Sequence, residues 1–240
     1  AEKGDYGPYY QSKRKDIYHV FAKTLVEKDL AYPCFCSAEE LDEIRAQQEN
    51  EPQKGYWGKY AKCRNLTFAE IEEKISAGAP WTLRLKSPGN EENKVVFEDT
   101  IKGKIEMPEN DEDFVLLKSD GIPTYHFAHA VDDHLMRTTH VLRGDEWISS
   151  VPKHIQLFKL LGFKLPKFGH ISPIMKLDNG AKRKISKRKD PEAAVHFFAE
   201  QGYDSECVIN YLMTVAASDF EDWRRANPDA SYKDFKFNLK

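Results

Sequence analysis

The sequence predicts a mixed α/β fold, and two observations carry that prediction. Apolar residues recur at helical spacing near the start of the chain and again after residue 150. Between those regions the period switches to two at 81–86, and short apolar runs at 95–97 and 114–117 indicate further strands. A chain of 240 residues is long enough for one large domain or two small ones with a sizeable core.

The first predicted element is an amphipathic helix from about residue 16 to residue 30. It follows a turn-like Gly7-Pro8 pair, and Pro33 is expected to stop it because proline lacks the backbone N–H that a helix interior needs. One stripe of this helix is predicted to be buried. Its members are Ile17, Val20, Phe21, Thr24 and Leu25.

Two capping boxes predict the starts of the next two helices. Ser37 with Glu40, and Thr67 with Glu70, have the spacing at which each side chain satisfies the other residue's free backbone N–H. The polar stretch 47–62 between these helices is predicted to be a long loop.

The middle of the chain is predicted to form strands. Residues 81–86 alternate apolar and polar side chains, and 119–121 is a tight turn. We expect that turn to send the chain back through Tyr125 and Phe127 as a hairpin. The run 141–143 predicts a buried strand that ends in a charged residue.

Helices are predicted again toward the end of the chain. One runs from Pro152 to Gly162 and another from Pro191 to Gly202, since proline favours the first helical position and glycine the position after the last. Cys207 is expected to pack on the apolar face of a third helix. That face consists of Val208, Ile209, Leu212 and Val215.

Composition excludes several classes of protein. The 36 Lys and Arg nearly balance the 39 Asp and Glu, so any surface for a polyanion must be local. No run approaches the roughly 18 apolar residues of a membrane span. Four cysteines and no secretory signal predict a reducing, cytoplasmic setting. The absence of an initiator Met leads us to expect either processing or a sequence that starts inside a longer protein.

The densest charge feature is the basic run 182–189, with six cations in eight residues. Such a run is often a solvated loop or a general nucleic-acid patch. Its order is more informative, because Lys184-Ile185-Ser186-Lys187-Arg188 precedes a proline-initiated helix and is similar to the Lys-Met-Ser-Lys-Ser signature of class I aminoacyl-tRNA synthetases.

Together with this loop, four further segments resemble one family of that class, the bacterial glutamyl-tRNA synthetases. The segments occur in the family's order and extend over nearly the whole chain. They are Pro8–Ser12, Leu116–His126, Val131–Met136 and Arg143–Trp147.

The resemblance implies a partial Rossmann-type nucleotide-binding domain with an inserted α+β connective domain and a following helical loop domain. It places the end of the first Rossmann half at 1–31, the acceptor-binding insertion at 32–117, the second Rossmann half at 118–171, and the lysine loop with a helical stem-contact domain at 172–240. The His-Ile-Gly-His type of signature and an anticodon-binding domain are expected outside this sequence.

The implied activity is a two-step ligation. Glutamate and ATP, with Mg²⁺, give glutamyl-adenylate, and the glutamyl group passes to the 3′ end of tRNA(Glu). The implied protein is a monomer without a membrane partner, and we expect this chain alone to be inactive. Open alternatives are a glutaminyl-tRNA synthetase, a paralogue that modifies a tRNA nucleoside, and a non-catalytic RNA-binding remnant.

The resemblance also assigns the basic loop. Lys187 and, secondarily, Lys184 are implied catalytic lysines that neutralise the ATP phosphates, with Ser186 beside Lys187 in the ATP site. The cations outside the motif are implied tRNA contacts. These are Lys182, Arg183 and Lys189.

A second implied group binds the amino acid and ATP. Arg143 matches the family arginine that grips glutamate, and a guanidinium can hold a carboxylate by two parallel hydrogen bonds. Its alternative role is an ion pair with an acid of the segment that follows. Tyr125 and His129 are implied glutamate contacts, although better-known members carry asparagine at the latter position. Glu146 and Trp147 are implied on the ATP side.

Cys34, Cys36 and Cys63 resemble the zinc site that some members carry in the inserted domain. A structural zinc site has four ligands, and Tyr60 is the candidate for the fourth. Plain reduced cysteines remain the alternative.

Overall fold

The computed structural model describes residues 3–51 and 54–236, which form two compact units, Ala1–His170 and Ile171–Lys240. The mixed α/β prediction is confirmed. Within the described residues, no helix is long and apolar enough to cross a membrane.

The first unit contains five helices among its described residues. They are α1 (Lys15–Glu27), α2 (Ala38–Gln47), α3 (Phe68–Ser76), α4 (Tyr125–Leu135) and α5 (Val151–Leu161). Short 3-10 helices span Gln11–Arg14, Gly58–Tyr60 and Asp145–Ser150. Its strands are β1 (Ala31–Cys34), β2 (Thr82–Leu85), β3 (Lys94–Asp99), β4 (Gly103–Pro108), β5 (Val115–Leu117), β6 (His140–Gly144) and β7 (Lys167–Ile171).

These strands form two sheets. The first has the order β1-β2-β5 with antiparallel pairs. The second has the order β4-β3-β7-β6, in which β3 and β7 run parallel and Asp99 lies opposite Phe168. Strands from the predicted segments 32–117 and 118–171 therefore share one sheet, and the predicted domain boundaries stay predictions.

The main core packs α1, α4 and α5 against the first sheet. Its fully buried side chains include Tyr18, Leu25, Leu85, Leu116, Phe127, Val131 and Leu157. Polar bonds also fix α4 to the start of the chain: Asp132 accepts hydrogen bonds from Arg14 Nε at 2.8 Å and from the Tyr18 hydroxyl at 2.7 Å. This packing and these hydrogen bonds fix α4 against α1, α5 and the first sheet.

The second unit begins with a hairpin. Strands β8 (Met175–Asp178) and β9 (Ala181–Lys184) pair antiparallel, with Met175 opposite Lys184. A 3-10 turn (Pro191–Ala193) leads into three helices, followed by a last 3-10 turn (Tyr232–Asp234). The helices are α6 (Val195–Glu200), α7 (Ser205–Ala216) and α8 (Ser218–Ala226).

The capping predictions are confirmed, because both boxes are formed at the starts of α2 and α3. The prediction for α1 is partly wrong. The helix ends at Glu27, before Asp29 adopts a positive φ of 55°, and Pro33 lies in a strand that was not predicted. Val20 is 59% exposed, because the buried stripe passes through Tyr18, Ala22 and Leu25.

The predicted hairpin after residues 119–121 is only partly right, because the chain turns back and Leu117 forms an antiparallel bridge with Pro123, but no second strand follows. The turn exists, with Gly121 at φ 76°, but Tyr125 and Phe127 begin helix α4 rather than a strand. Leu142 is 63% exposed, so the strand at 141–143 is not buried as predicted.

Two smaller expectations also change. The helix predicted from 191 to 202 is interrupted at Ala194, whose backbone is extended with φ −107° and ψ 130°. Cys207 is exposed rather than packed. Residues 52 and 53 of the predicted loop lie outside the described residues.

Candidate functional site

Arg143 lies at the end of β6, directly before Gly144 and the 3-10 helix Asp145–Ser150. Ligands of open α/β sheets commonly bind where strands end, because the following turns expose backbone and side chains there. Asp145, one of the acids considered as an ion-pair partner for this arginine, lies 3.4 Å from Lys102 Nζ instead.

The guanidinium of Arg143 is held on two sides. Nε donates to His170 Nε2 at 3.0 Å, and Nη2 bonds to His154 Nδ1 at 3.2 Å and to the Trp147 carbonyl at 3.5 Å. Nη1 is buried and has no hydrogen-bond partner among the described residues. The arginine therefore presents one unpaired nitrogen, whereas the sequence interpretation envisaged two for a carboxylate.

Helix α4 supplies Tyr125 and His129 from one face, since residues four apart are neighbours on a helix. Their rings are nearly parallel, with centroids 5.8 Å apart, and Tyr125 is 4.6 Å from the Trp147 ring. His129 is in turn 4.3 Å from His154, which bonds to Arg143. The structure thus brings together four predicted site residues that are up to 22 positions apart in sequence.

A cavity of about 440 Å³ opens beside this group, and its lining includes Tyr125, His129 and Gln11. That volume is within the usual range for small-molecule sites. His129 Nδ1 lies 2.9 Å from Asp133 Oδ2, while its Nε2 is buried without a hydrogen-bond partner among the described residues. Glu146, the other residue predicted on the ATP side, is exposed on the adjacent 3-10 helix.

Two neighbouring histidines remain uncharged at neutral pH. Burial lowers the pKa of His126 to about 4, and it lowers the pKa of His154 still further. Their rings are linked, with His126 Nδ1 2.9 Å from His154 Nε2. Neutral imidazoles can accept hydrogen bonds from the arginine without adding positive charge beside it.

In the second unit, Asp190 organises the predicted lysine loop. Its buried carboxylate accepts hydrogen bonds from Ser186 N at 2.9 Å, from Arg183 at 2.7 Å and from Lys176 Nζ at 3.2 Å. The hydrogen bonds from Arg183 are the main reason why the pKa of Asp190 lies well below its usual range. An ionised carboxylate therefore holds the loop together at neutral pH.

The predicted cations of this region differ in their surroundings. Arg183 is held by Asp190 and by Asp178, whose Oδ2 is 2.6 Å from its Nε. The remaining predicted lysines are exposed. They are Lys182, Lys184, Lys187 and Lys189.

Cys34, Cys36 and Cys63 form a separate cluster, with their sulfurs all within 4.8 Å of one another. The nearby hydroxyl belongs to Tyr56, which lies 3.2 Å from Cys36 Sγ and accepts the Cys63 N–H at 3.0 Å. Tyr60, the predicted fourth ligand, donates its hydroxyl to Glu51 instead. The structure thus places a different tyrosine beside the sulfurs.

The cluster fits a zinc ion. With Zn–S bonds of about 2.3 Å, the sulfurs of a tetrahedral site are separated by about 3.8 Å. Cys36 and Cys63 are 3.7 Å apart. A hydrogen bond from the Cys63 thiol lowers the pKa of Cys34 below its ordinary value, which favours the thiolate that metals bind.

Sequence reasoning missed the residues that hold Arg143, namely Asp99, His154 and His170, and it missed Tyr56. The histidines lie in a helix and a strand whose patterns read as ordinary core. Only the need of a half-buried arginine for acceptors could have suggested them.

A sheet with a fixed arginine at a strand end, in one cluster with the Tyr125 and His129 that line an open cavity, places the chain in the α/β class of ligand-binding domains. Residues 2–228 match the model for "tRNA synthetases class I (E and Q), catalytic domain", and the chain belongs to this family. The resemblance drawn from the sequence is thereby confirmed.

Individual relatives agree with the family match. The glutamate–tRNA ligases of Clostridium perfringens (strain 13 / Type A) and Acetivibrio thermocellus are 54% and 52% identical over 240 residues. Each alignment covers all of this chain and 44% of the relative, so the chain spans less than half of their length. A crystal structure of a glutamate tRNA ligase from Elizabethkingia meningosepticum, in complex with its amino acid, superposes with a TM-score of 0.70 at 36% identity, covering 80% of this chain and 38% of that one.

Proposed function

We propose that this chain is part of a glutamate–tRNA ligase, and that Arg143 binds the side-chain carboxylate of the substrate glutamate. The unpaired, buried Nη1 of Arg143 is the observation that carries the proposal. A buried guanidinium nitrogen without an acceptor is costly, and a carboxylate removes that cost while adding charge attraction.

The reaction would proceed in two steps. The α-carboxylate oxygen of glutamate attacks the α-phosphorus of ATP, a new P–O bond forms, and pyrophosphate leaves. A ribose hydroxyl at the end of tRNA(Glu) then attacks the adenylate carbonyl, and AMP leaves. Most of the catalysis consists of positioning the reactants and neutralising charge.

Different residues are proposed to bind glutamate, ATP and tRNA. Arg143, Tyr125 and His129 would hold glutamate, and Trp147 with Glu146 would contact ATP. The exposed lysines of the second unit would serve the phosphates and the tRNA. Lys187, with Lys184 and Ser186, is assigned to ATP, whose phosphates carry Mg²⁺, and Lys182 with Lys189 to tRNA.

Two assignments are adjusted by the geometry. Arg183 already pairs with Asp178 and Asp190. We therefore infer that its main role is to stabilise the hairpin and that contact with tRNA is secondary. A zinc ion would be held by the three cysteines, where it would supply structural cross-linking only. We further propose a cytoplasmic monomer.

The test is glutamate-dependent ATP–pyrophosphate exchange by the complete gene product with tRNA present. Arg143→Lys keeps the charge but loses the planar fork, so we expect the KM for glutamate to rise by about 10-fold or more. Arg137→Lys, at an exposed arginine of the same unit, is the matched control and should behave as wild type. Exchange that requires glutamine would contradict the proposal in favour of the neighbouring specificity.

The remaining alternatives have their own outcomes. Binding of RNA without exchange for any amino acid would indicate a non-catalytic remnant, and incorporation of glutamate into a tRNA nucleoside would indicate the modifying paralogue. We expect no glutamyl-tRNA from the 240-residue chain alone. Product formation by that chain, if lost in Lys187→Ala, would overturn this expectation.

A further inference from the structure

Asp99 occupies a fully buried position at the end of β3, and both of its carboxylate oxygens are engaged. Oδ1 accepts three backbone N–H groups, from Ile101 at 3.0 Å, Lys102 at 2.9 Å and His170 at 3.2 Å. Oδ2 lies 2.6 Å from His170 Nδ1. The hydrogen bonds outweigh burial and keep the pKa of Asp99 below its ordinary value, so this group is an ionised acceptor.

The protonation state of His170 follows from its two neighbours. Arginine has only donors, so His170 Nε2, 3.0 Å from Arg143 Nε, must be an acceptor. The ring proton is therefore on Nδ1, where it is donated to Asp99. His170 can serve Arg143 only in this tautomer, and Asp99 is the group that selects it.

The opposite side of the guanidinium obeys the same rule. His154 Nδ1 accepts from Arg143 Nη2, so the proton of His154 lies on Nε2 and is donated to His126 Nδ1 at 2.9 Å. The result is one directed chain of hydrogen bonds, built from β3, β7, β6, α5 and α4, with the arginine at its centre.

We propose that Asp99 and His170 are positioning residues for the substrate-binding arginine. By fixing the His170 tautomer, Asp99 anchors Nε of Arg143 and leaves Nη1 as the nitrogen that meets a carboxylate. This inference rests on the proposed function, since it assigns Arg143 to the glutamate substrate.

A merely structural role explains the pair less well. His170 is fully buried with its ring against Arg143 on one side and Asp99 on the other. Burial of an aspartate and a histidine costs free energy that an apolar pair at the same positions would avoid. An apolar residue at position 99 would lose the acceptor of three backbone N–H groups, but that role needs only Oδ1 and no histidine. The bond from His170 Nδ1 to Oδ2 is explained by the need of Arg143 Nε for an acceptor.

The sharpest variant is Asp99→Asn, because it keeps the shape and changes one atom. Three N–H groups converge on the Oδ1 position, so the amide oxygen must remain there and the amide nitrogen must face His170 Nδ1. The amide then donates to Nδ1, so the ring proton must move to Nε2. There it faces the Arg143 Nε–H, and two donors meet without an acceptor between them. In the catalytic triad of serine proteases, the equivalent change from aspartate to asparagine imposes the wrong histidine tautomer without altering the geometry.

The first readout is the His170 tautomer, measured on the 240-residue chain by long-range ¹H–¹⁵N spectra of its imidazoles. We expect an Nδ1–H ring in the wild type and an Nε2–H ring in Asp99→Asn. This measurement does not depend on the proposed function. An Nε2–H or doubly protonated His170 in the wild type would overturn the positioning proposal even if the variant failed to fold.

The second readout is kinetic, in the complete gene product with tRNA present. Asp99→Asn should raise the KM for glutamate by about 10-fold or more, as loss of an orienting partner does at metal-bound histidines, with the KM for ATP unchanged. Asp145→Asn, which removes a carboxylate bonded to Lys102 outside this chain of bonds, is the matched control.

The two readouts separate the possible failures. A gene product without glutamate-dependent exchange overturns the proposed function, whereas the tautomer experiment still decides whether Asp99 orients His170. Exchange with an unchanged glutamate KM in a folded Asp99→Asn protein overturns the positioning role alone. Equal rises in the KM for glutamate and ATP would indicate a structural effect and would also overturn it.

Discussion

The hydroxyl of Tyr56 lies 3.2 Å from the sulfur of Cys36 and 3.5 Å from that of Cys34. A zinc–oxygen bond of about 2.0 Å and a zinc–sulfur bond of about 2.3 Å place ligand atoms about 3.5 Å apart in a tetrahedron. Tyr56 therefore occupies the position expected of a fourth ligand, or of a group that bonds to a water there.

We predict one zinc ion per chain, held by Cys34, Cys36 and Cys63 and lost on treatment with a chelator. Metal analysis should show that Tyr56→Phe weakens zinc binding and that Tyr60→Phe does not. Removal of zinc should lower the melting temperature, since structural zinc contributes directly to folding free energy.

Cys207→Ser provides the matched control, because that thiol is exposed and lies in the second unit. It should retain full zinc occupancy, whereas Cys63→Ser should not. A protein purified with zinc in the medium but containing none would contradict the assignment and leave three reduced thiols.

The second prediction concerns Lys187 in the basic loop. If its ammonium neutralises the phosphates as pyrophosphate leaves, Lys187→Ala should lower kcat for exchange by about 10²–10³, the usual effect of losing one such group. The KM for glutamate should change little, because this lysine acts on ATP. Lys164→Ala, at an exposed lysine of the first unit, controls for the loss of one positive charge. Similar rates in the two variants would remove Lys187 from the mechanism.

Local signals predicted helix starts and the turn at 119–121 well, and the element after that turn less well. The Ser37–Glu40 capping box succeeds because every bond it needs lies within four residues. Tyr125 and Phe127 alternate as strand residues do, yet Phe127 and Val131 are spaced for a helix and both are buried in α4. A short apolar window fits either period, and packing against α1 and α5 decides between them.

The site shows the same limit. Arg143 could be predicted because its own segment ends a strand and resembles a known motif. Its anchors could not, since His170 lies 27 residues after Arg143, and Asp99 lies 71 residues before His170. A tautomer depends on contacts between strands that are neighbours only after folding, and no local pattern encodes them.

A third prediction concerns Asp113, which links the cysteine cluster to the first sheet. Its fully buried carboxylate accepts the Tyr32 hydroxyl at 2.6 Å and Ser87 N at 2.8 Å, and it pairs with Arg64. Asp113→Ala leaves these buried donors without an acceptor, so we expect a loss of about 3–5 kcal/mol in the free energy of unfolding. Tyr32→Phe removes a single hydrogen bond to this carboxylate and should cost about 1.5–3 kcal/mol.

Urea denaturation followed by tryptophan fluorescence measures both losses. Asp42→Ala is a suitable control, because its ion pair with Arg45 is exposed on α2 and such pairs contribute about 0.2–1 kcal/mol. An Asp113→Ala protein as stable as that control would show that the network around Asp113 does not support the fold.

The last prediction follows from the low pKa of His126. Burial lowers this pKa from 6.5 to about 4, so between those pH values the unfolded chain binds a proton that the folded chain does not. The free energy of unfolding must therefore fall as the pH is lowered through this window, by up to about 3 kcal/mol for this one group. His126→Asn keeps an acceptor for His154 Nε2 but cannot be protonated, so urea denaturation at pH 7 and pH 4.5 should show a smaller loss for this variant. The loss should not vanish, because burial lowers the pKa of His154 in the same direction.

His196→Asn, at an exposed histidine of the second unit, should retain the pH dependence of the wild type. Identical pH dependence in His126→Asn and the wild type would mean that His126 is not held neutral in the folded protein.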